Sequence, residues 1–256
     1  MGIDWQTTPA AIYRRHSNTL RAVHAIDNIL LDQLLEVERQ KQLLVTNTER
    51  FIRGEPSNNA LLWGSRGTGK SSLIKAILNT YFEQGLRIIE VDREDLVFLP
   101  EIVDEIRELP YRFIVFSDDL SFERGDSTYK ALKSVMEGSI ESPPENVKVY
   151  ATSNRRHLMP ESMKDNQDSK MVEGELHPSE GIEEQVSLSD RFGLWLSFYP
   201  FNQDEYLALV DALFPDINDR SELHLLAIRF ALAKGGRSGR AARHFYNAYS
   251  DHFDGQ

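Results

Sequence analysis

The chain contains no cysteine, which removes disulfides, thiolate metal sites and a cysteine nucleophile together and leaves no trace of a redox compartment. Positive charge is also scarce. Twenty-nine lysines and arginines against 40 acidic residues give a net charge of −11 and a pI near 5.2. That balance opposes a broad nucleic-acid or anionic-membrane footprint, although not a local basic patch. Apolar runs are short, none approaching the roughly 18 residues of a membrane helix. The opening "MGIDWQTTPA" has neither the basic region nor the apolar run of a secretory signal, and Gln6 spoils the myristoylation pattern after Gly2. The seven histidines show no HExxH or comparable metal-ligand spacing. These absences predict a cytoplasmic, soluble protein with no membrane contact. At 256 residues it is large enough for a main domain with a small appendage.

What is present begins with "NNALLWGSRGTGKSSLIKAIL" over residues 58–78, whose "GSRGTGKS" fits G-x-x-x-x-G-K-[ST] between an apolar strand and a helix. Gly64, Gly67 and Gly69 let the backbone turn tightly and aim successive N–H groups at one point, to which the helix adds its positive end. A polyphosphate fits there. The predicted cradle runs through Gly64, Ser65, Arg66, Gly67, Thr68 and Gly69 into Lys70, Ser71 and Ser72. Lys70 reaches the β- and γ-phosphates, and the Ser71 hydroxyl contributes to a Mg²⁺ shell. ATP and Mg²⁺ are therefore the expected cofactors.

From that strand onward, strand and helix patterns alternate: "LRIIEV", then "EIVDEIREL", then "RFIVFSDDL", then "STYKALKSVMEG", then "VKVYATSN". Near-continuous apolar strands of this kind predict a parallel sheet covered on both faces. Residues 8–30 read as a helix, with Thr8 as N-cap and Pro9 at the first helical position. A second amphipathic stretch ends at Gly54. Residues 156–187 are acidic, poor in aromatics and punctuated by Gly and Pro, as expected of a surface insertion. Beyond residue 201 the pattern is helical, opened by a capping box of Asn202 and Glu205. The predicted division is a helical extension over 1–30, a nucleotide-binding core over 31–200 and a helical lid over 201–256.

Turnover needs a metal-ordering carboxylate and a group that positions water. In "FIVFSDD", four apolar residues carry Asp118 and Asp119 to the carboxyl end of a buried strand, the edge at which open α/β sheets bind ligands. Asp118 is the metal candidate and Asp119 the candidate to orient water. A strand ending in Thr152, Ser153 and Asn154 would reach the same edge, with Asn154 able to bond water or the γ-phosphate. An ordinary turn start is the alternative. Trp195 and Phe198 read as core.

The set "GSRGTGKS", "FIVFSDD", "YATSN", "LSDRFG" and "GRSGRAARHF", in this order, resembles the AAA+ ATPases over about residues 31–250. More narrowly, the chain resembles a widespread bacterial AAA+ family classed as a domain of unknown function, and its acid pair and "SDRF" resemble the replication initiator DnaA and its relatives. The resemblance implies a five-stranded αβα P-loop core with a small C-terminal helical lid. It further implies that Leu35 and Val37 in "LDQLLEVERQK" contact adenine, with Glu36 standing where Gly is common. Arg191 in "DRFG" becomes an arginine finger for a neighbouring subunit, the alternative being an arginine paired with Asp190 or an acid of the insertion. In the lid, Arg240 becomes the sensor that reaches the γ-phosphate, with Arg237 one helical turn away as the alternative. Arg155 and Arg156 either line the site or a channel or form a plain loop pair. The implied protein is a nucleotide-dependent ring or arc acting on an unknown protein partner, with nucleic acid possible. Slow hydrolysis in a DnaA-like switch is the alternative, prompted by Asp119 where many relatives have Glu. A small-molecule kinase would give the helical lid no role.

Overall fold

The computed structural model describes residues 2–121, 127–138, 142–154, 170–172, 175–177 and 191–253. Nine strands and seven α-helices follow one another among them. They are β1 (Ala10–Arg14), β2 (Thr19–Val23), α1 (Glu38–Ile52), β3 (Ala60–Gly64), α2 (Lys70–Tyr81), β4 (Leu86–Glu90), α3 (Leu99–Ile106), β5 (Arg112–Ser117), α4 (Ser127–Glu137), β6 (Val147–Ser153), β7 (Lys170–Val172), β8 (Glu175–His177), β9 (Leu194–Phe198), α5 (Gln203–Leu213), α6 (Ser221–Ala233) and α7 (Gly239–Phe253).

One seven-stranded sheet, ordered β2-β1-β4-β5-β6-β3-β9, organises the molecule. All pairings are parallel except β1 with β2. Alternate residues of each strand serve opposite cores. Leu62, Ile88, Ile114 and Tyr150 face α1, α2 and the lid helices, whereas Leu61, Ile89, Val115 and Val149 face α3 and α4. Both sides are covered, which is why the central strands read as continuous apolar runs. The helices after residue 201 join the first core through Tyr206, Val210, Phe214 and Phe245, and Asn202 and Glu205 form the expected capping box at the start of α5.

Five of the strands, β9-β3-β6-β5-β4, form the expected parallel sheet; the other two replace the expected helix over residues 8–30. Pro9 and the β-branched and aromatic residues Ile12 and Tyr13 suit an extended chain, Asn18 turns it at φ 49°, and β1 then adds to the free edge of β4. Ile88 N–H donates to the Pro9 carbonyl at 3.1 Å. Pairing with a strand some 78 positions away decides the conformation, and no periodicity within residues 8–30 reports it. The second amphipathic stretch also begins later than its apolar pattern. Glu36 takes a left-handed φ of 61°, so α1 starts at Glu38. That is the position where the resembling family commonly has Gly. Most of the acidic segment 156–187, with Arg155, Arg156 and Asp190, lies outside the described residues; β7 and β8 pair as a two-stranded ribbon within it. Among the described residues no helix is long and apolar enough to cross a membrane.

Candidate functional site

The carboxyl ends of β3, β5 and β6 open into a cleft of about 1420 Å³, roofed by α7. The phosphate loop between β3 and α2 forms its floor, with Gly64, Gly67 and Gly69 at φ 131°, 73° and 95°. Two of these glycines answer to close approaches. A Cβ on Gly64 would lie 1.9 Å from the Phe198 carbonyl oxygen, and one on Gly67 would lie 3.0 Å from Ser238 Oγ. At Gly69 a Cβ would meet nothing within 4 Å, because that backbone faces the open cleft. Gly64 and Ser65 serve from behind the loop. Ser65 N–H donates to the Phe198 carbonyl at 2.9 Å, while the carbonyls of both residues accept from Lys70 Nζ at 2.9 and 2.7 Å. Thr68 Oγ1 closes the loop on the Ser65 carbonyl at 2.8 Å.

Lys70 is buried to 7 % exposure. Burial lowers its pKa, and the carboxylates of Asp118 and Asp119 partly restore the charged form. Around it the polar side chains bond to one another. Ser71 Oγ donates to Asp118 Oδ1 at 2.7 Å. The Thr152 hydroxyl also donates to Asp118 Oδ1, by a short bond, and accepts the Asp119 N–H at 2.9 Å. Asn154 Nδ2 donates to Asp119 Oδ1 at 2.6 Å, and its own Oδ1 lies 3.4 Å from Lys70 Nζ. Asp119 is held at φ 53°, a left-handed conformation that costs a non-glycine residue free energy and that clusters at functional sites. Arg66 approaches Asp119 at 3.9 Å with both side chains exposed, a weak contact. Sequence reasoning gives Asn154 a role and Thr152 none. The signal was the polar end of an apolar strand, but only the register of β6 beside β5 shows the hydroxyl bridging both acids.

The lid meets the loop directly. Gly239, first residue of α7, donates its N–H to the Gly67 carbonyl at 2.9 Å, and Ser238 Oγ accepts from Ala241 N at 3.1 Å as a helix cap. This backbone contact was not legible, since "RSG" names no partner. Arg240 lines the cleft beside it and Arg237 does not. Leu35 and Val37 line the cleft as well, Val37 fully buried at the start of α1. Arg191 does not line it. Its guanidinium forms an ion pair with Glu137 at the end of α4, with the arginine side chain 15 % exposed.

The donors fit a magnesium nucleotide. A hydroxyl and a carboxylate oxygen 2.7 Å apart, Ser71 Oγ and Asp118 Oδ1, make the sparse oxygen set that Mg²⁺ takes while keeping most of its water. Among the described residues, no cluster of three or more His, Asp or Glu offers a metal an all-protein cage.

A five-stranded parallel core in this order, a phosphate loop after β3, an acid pair after β5 and a helical lid define an AAA+ P-loop fold. The sequence profile of the family described as "Protein of unknown function (DUF815)" matches residues 6–253, and the chain belongs to that family. Among solved structures it is similar to Aeropyrum pernix ORC1 in complex with DNA, at 15% identity and a TM-score of 0.56, covering 83% of this chain and 61% of that one. It is likewise similar to AMPPCP-bound DnaA from Aquifex aeolicus, at 18% identity and a TM-score of 0.56, covering 89% and 66%. The chain spans less than two thirds of the length of either, 61% and 66%. No curated protein matches it in sequence.

Proposed function

We propose that the protein is a Mg²⁺-dependent ATPase whose sites are completed between subunits of a nucleotide-dependent ring or arc, and that it remodels a macromolecular partner. The observation that carries this reading is the connected network of Ser71, Asp118, Thr152, Asp119 and Asn154 facing the phosphate loop. It holds two carboxylates in different settings, as a metal-dependent hydrolase requires. The AMPPCP carried by the DnaA relative supports adenine nucleotide as the ligand.

In this reading the backbone N–H groups of Gly67 to Lys70 bind phosphate oxygens, and the Lys70 ammonium transfers its donors from the Gly64 and Ser65 carbonyls to them. Bound Mg²⁺ supplies charge neutralisation on the phosphates. Ser71 and Asp118 hold the metal side of the site. Asp119, pinned through its N–H and its Oδ1, accepts a hydrogen bond from the attacking water and takes its proton, while Asn154 fixes the carboxylate. Leu35 and Val37 contact the adenine, and Arg240 reaches down from α7 to the terminal phosphate and links lid position to nucleotide state.

Arg191 acts on a neighbour's nucleotide, since its own cleft lies elsewhere, and assembly exchanges Glu137 for that phosphate. Fingers of this kind contribute roughly 10³- to 10⁵-fold in rate, about 4 to 7 kcal/mol of barrier. The division into a core over 31–200 and a lid over 201–256 gives the two bodies whose relative motion hydrolysis would drive.

The second reading is a slow ATP-gated assembly switch. The strained, short Asp119 favours it, because an aspartate reaches less far toward water than the longer acid many relatives carry. Steady-state phosphate release from MgATP by wild type and Asp119→Asn separates the two. A loss of roughly 10²- to 10⁴-fold is expected of a general base. A variant that matches an already slow wild type supports the switch instead.

A further inference from the structure

The β1–β2 hairpin is basic in an acidic chain, as are the acid-free stretches 56–82 and 223–250. Between Asp4 and Asp27 the sequence has no acidic residue, although the whole chain has 40, and this interval contains Arg14, Arg15, His16, Arg21 and His24. Residues 14–19 and Arg21 are all exposed. None of the three arginines forms an ion pair with a described residue. Arg15 only lies near the Phe98 ring, 5.9 Å from its centre. Two carboxyls act on these arginines at longer range, Glu90 at the end of β4 on Arg14 and the buried Asp95 on Arg15.

Geometry makes the tip a projection. Strand β1 pairs with β4 only from Ala10 to Ile12, so Tyr13 and Arg14 continue beyond it, paired with β2 alone. The Tyr13 rung is covered by Phe98, so the exposed part is the turn from Arg14 to Thr19. The projection is braced. Tyr13 is buried to 4 %, packs on Phe98 at 5.7 Å between ring centres and donates its hydroxyl to Asn18 Oδ1 at 2.6 Å. Ser17 and Asn18 N–H groups close successive turns on the Arg14 and Arg15 carbonyls.

We infer that this ribbon tip binds duplex DNA, entering the major groove with Arg14, Arg15 and Arg21 on phosphates. Every side chain from Arg14 to Thr19 can donate a hydrogen bond and none is apolar, which suits phosphate oxygens and lacks the aromatic or aliphatic anchor that the core of a protein interface needs. A two-stranded ribbon fits the B-form major groove, and the exposed turn from Arg14 to Thr19 is the part that would enter it. The A-form groove of duplex RNA is too narrow for it. The inference is independent of whether the chain hydrolyses ATP.

The test is fluorescence anisotropy of a labelled random-sequence DNA duplex with the full chain, titrated across salt, for wild type, R14Q/R15Q/R21Q and R14K/R15K/R21K. Three phosphate contacts predict a log–log salt slope near −2.7, or about 40-fold weaker binding between 50 and 200 mM salt. The glutamine variant should bind at least tenfold more weakly at low salt and lose most of that slope. The lysine variant should retain the slope, and both should keep the wild-type thermal midpoint. Equal binding by the glutamine variant, or no binding by wild type, overturns the inference. So does equal affinity for the single strand or an RNA duplex. If the glutamine variant keeps its DNA affinity but loses assembled mass in sedimentation, the tip contacts a second copy and the DNA assignment fails.

Discussion

Two regions share one edge of one sheet and are built on opposite principles. In the cleft, the carboxyl ends of β3, β5 and β6 bring together side chains that satisfy one another: Ser71 and Thr152 on Asp118, Asn154 on Asp119, Lys70 on two carbonyls. At the far end, β1 and β2 project arginines that bond to nothing described. A site that performs chemistry has to be rigid before its substrate arrives. A surface that follows a polyanion needs only exposed charge on a braced support.

The contrast can be broken by exchanging phenotypes. Lys70→Ala removes a charged donor with three contacts in the cleft, and charge-assisted bonds contribute about 1.5–3 kcal/mol each. ATP affinity measured by calorimetry should fall at least 100-fold while duplex-DNA affinity stays unchanged. The ribbon variants should show the reverse. Loss of both functions in either variant would mean that the two regions form one site.

Thr152→Val should follow in size. It removes the donor to Asp118 and leaves the Asp119 N–H without an acceptor, at about 1–3 kcal/mol of stability for an unsatisfied buried group. With Asp119 no longer pinned, the hydrolysis rate should fall about 10- to 100-fold at nearly constant ATP affinity, since the phosphate loop is untouched. A parallel loss of affinity would show that Thr152 supports the loop instead.

Gly239→Pro sharpens the link between loop and lid. Proline is tolerated at the first helical position, and the residue before it, the Ser238 cap, already suits an extended backbone. The donor to Gly67 is lost, and the ring carbon in its place is pushed against the Gly67 carbonyl oxygen, which lies 2.9 Å from the nitrogen. The lost bond alone contributes about 0.5–1.5 kcal/mol, so ATP should bind at least roughly 2- to 10-fold more weakly with helicity preserved. Unchanged affinity would leave the coupling to Arg240 alone.

The smallest effect concerns the core that both regions share. Burial pushes the Tyr150 phenol up to about 12, against the opposing hydrogen bonds with Thr48 and Asn47. A raised pKa means that the folded state retains a proton the unfolded chain releases. The resulting stability is full below pH 10 and lost as pH rises through about 12. Tyr81 and Tyr206 are also pushed up to about 12. Tyr150→Phe should therefore reduce the alkaline loss seen in denaturant titrations between pH 10 and 12. An unchanged slope would mean that Tyr150 titrates alike in the folded and unfolded states.

The same contrast explains what the sequence disclosed. The phosphate loop was legible because consecutive residues must satisfy one local geometry, and the strand-end acids because four apolar residues before them identify the strand. Four of the parallel strands followed from their apolar runs, and the fifth, β9, only from the family resemblance. The hairpin was misread as a helix because its conformation depends on β4, with which residues 10–12 pair through 88–90. Thr152 and Gly239 escaped for a similar reason: each acts on a residue from a different element. For Arg191, a motif supplied a role, whereas the fold alone supplied its partner, Glu137.

The central claim is that hydrolysis occurs between subunits. The most direct test is ATPase specific activity against protein concentration for wild type and Arg191→Ala, with assembled mass measured in parallel. A specific activity that climbs with concentration and falls about 10³-fold or more in the variant, at unchanged mass, is the predicted result. A flat rate that is indifferent to Arg191 would contradict it.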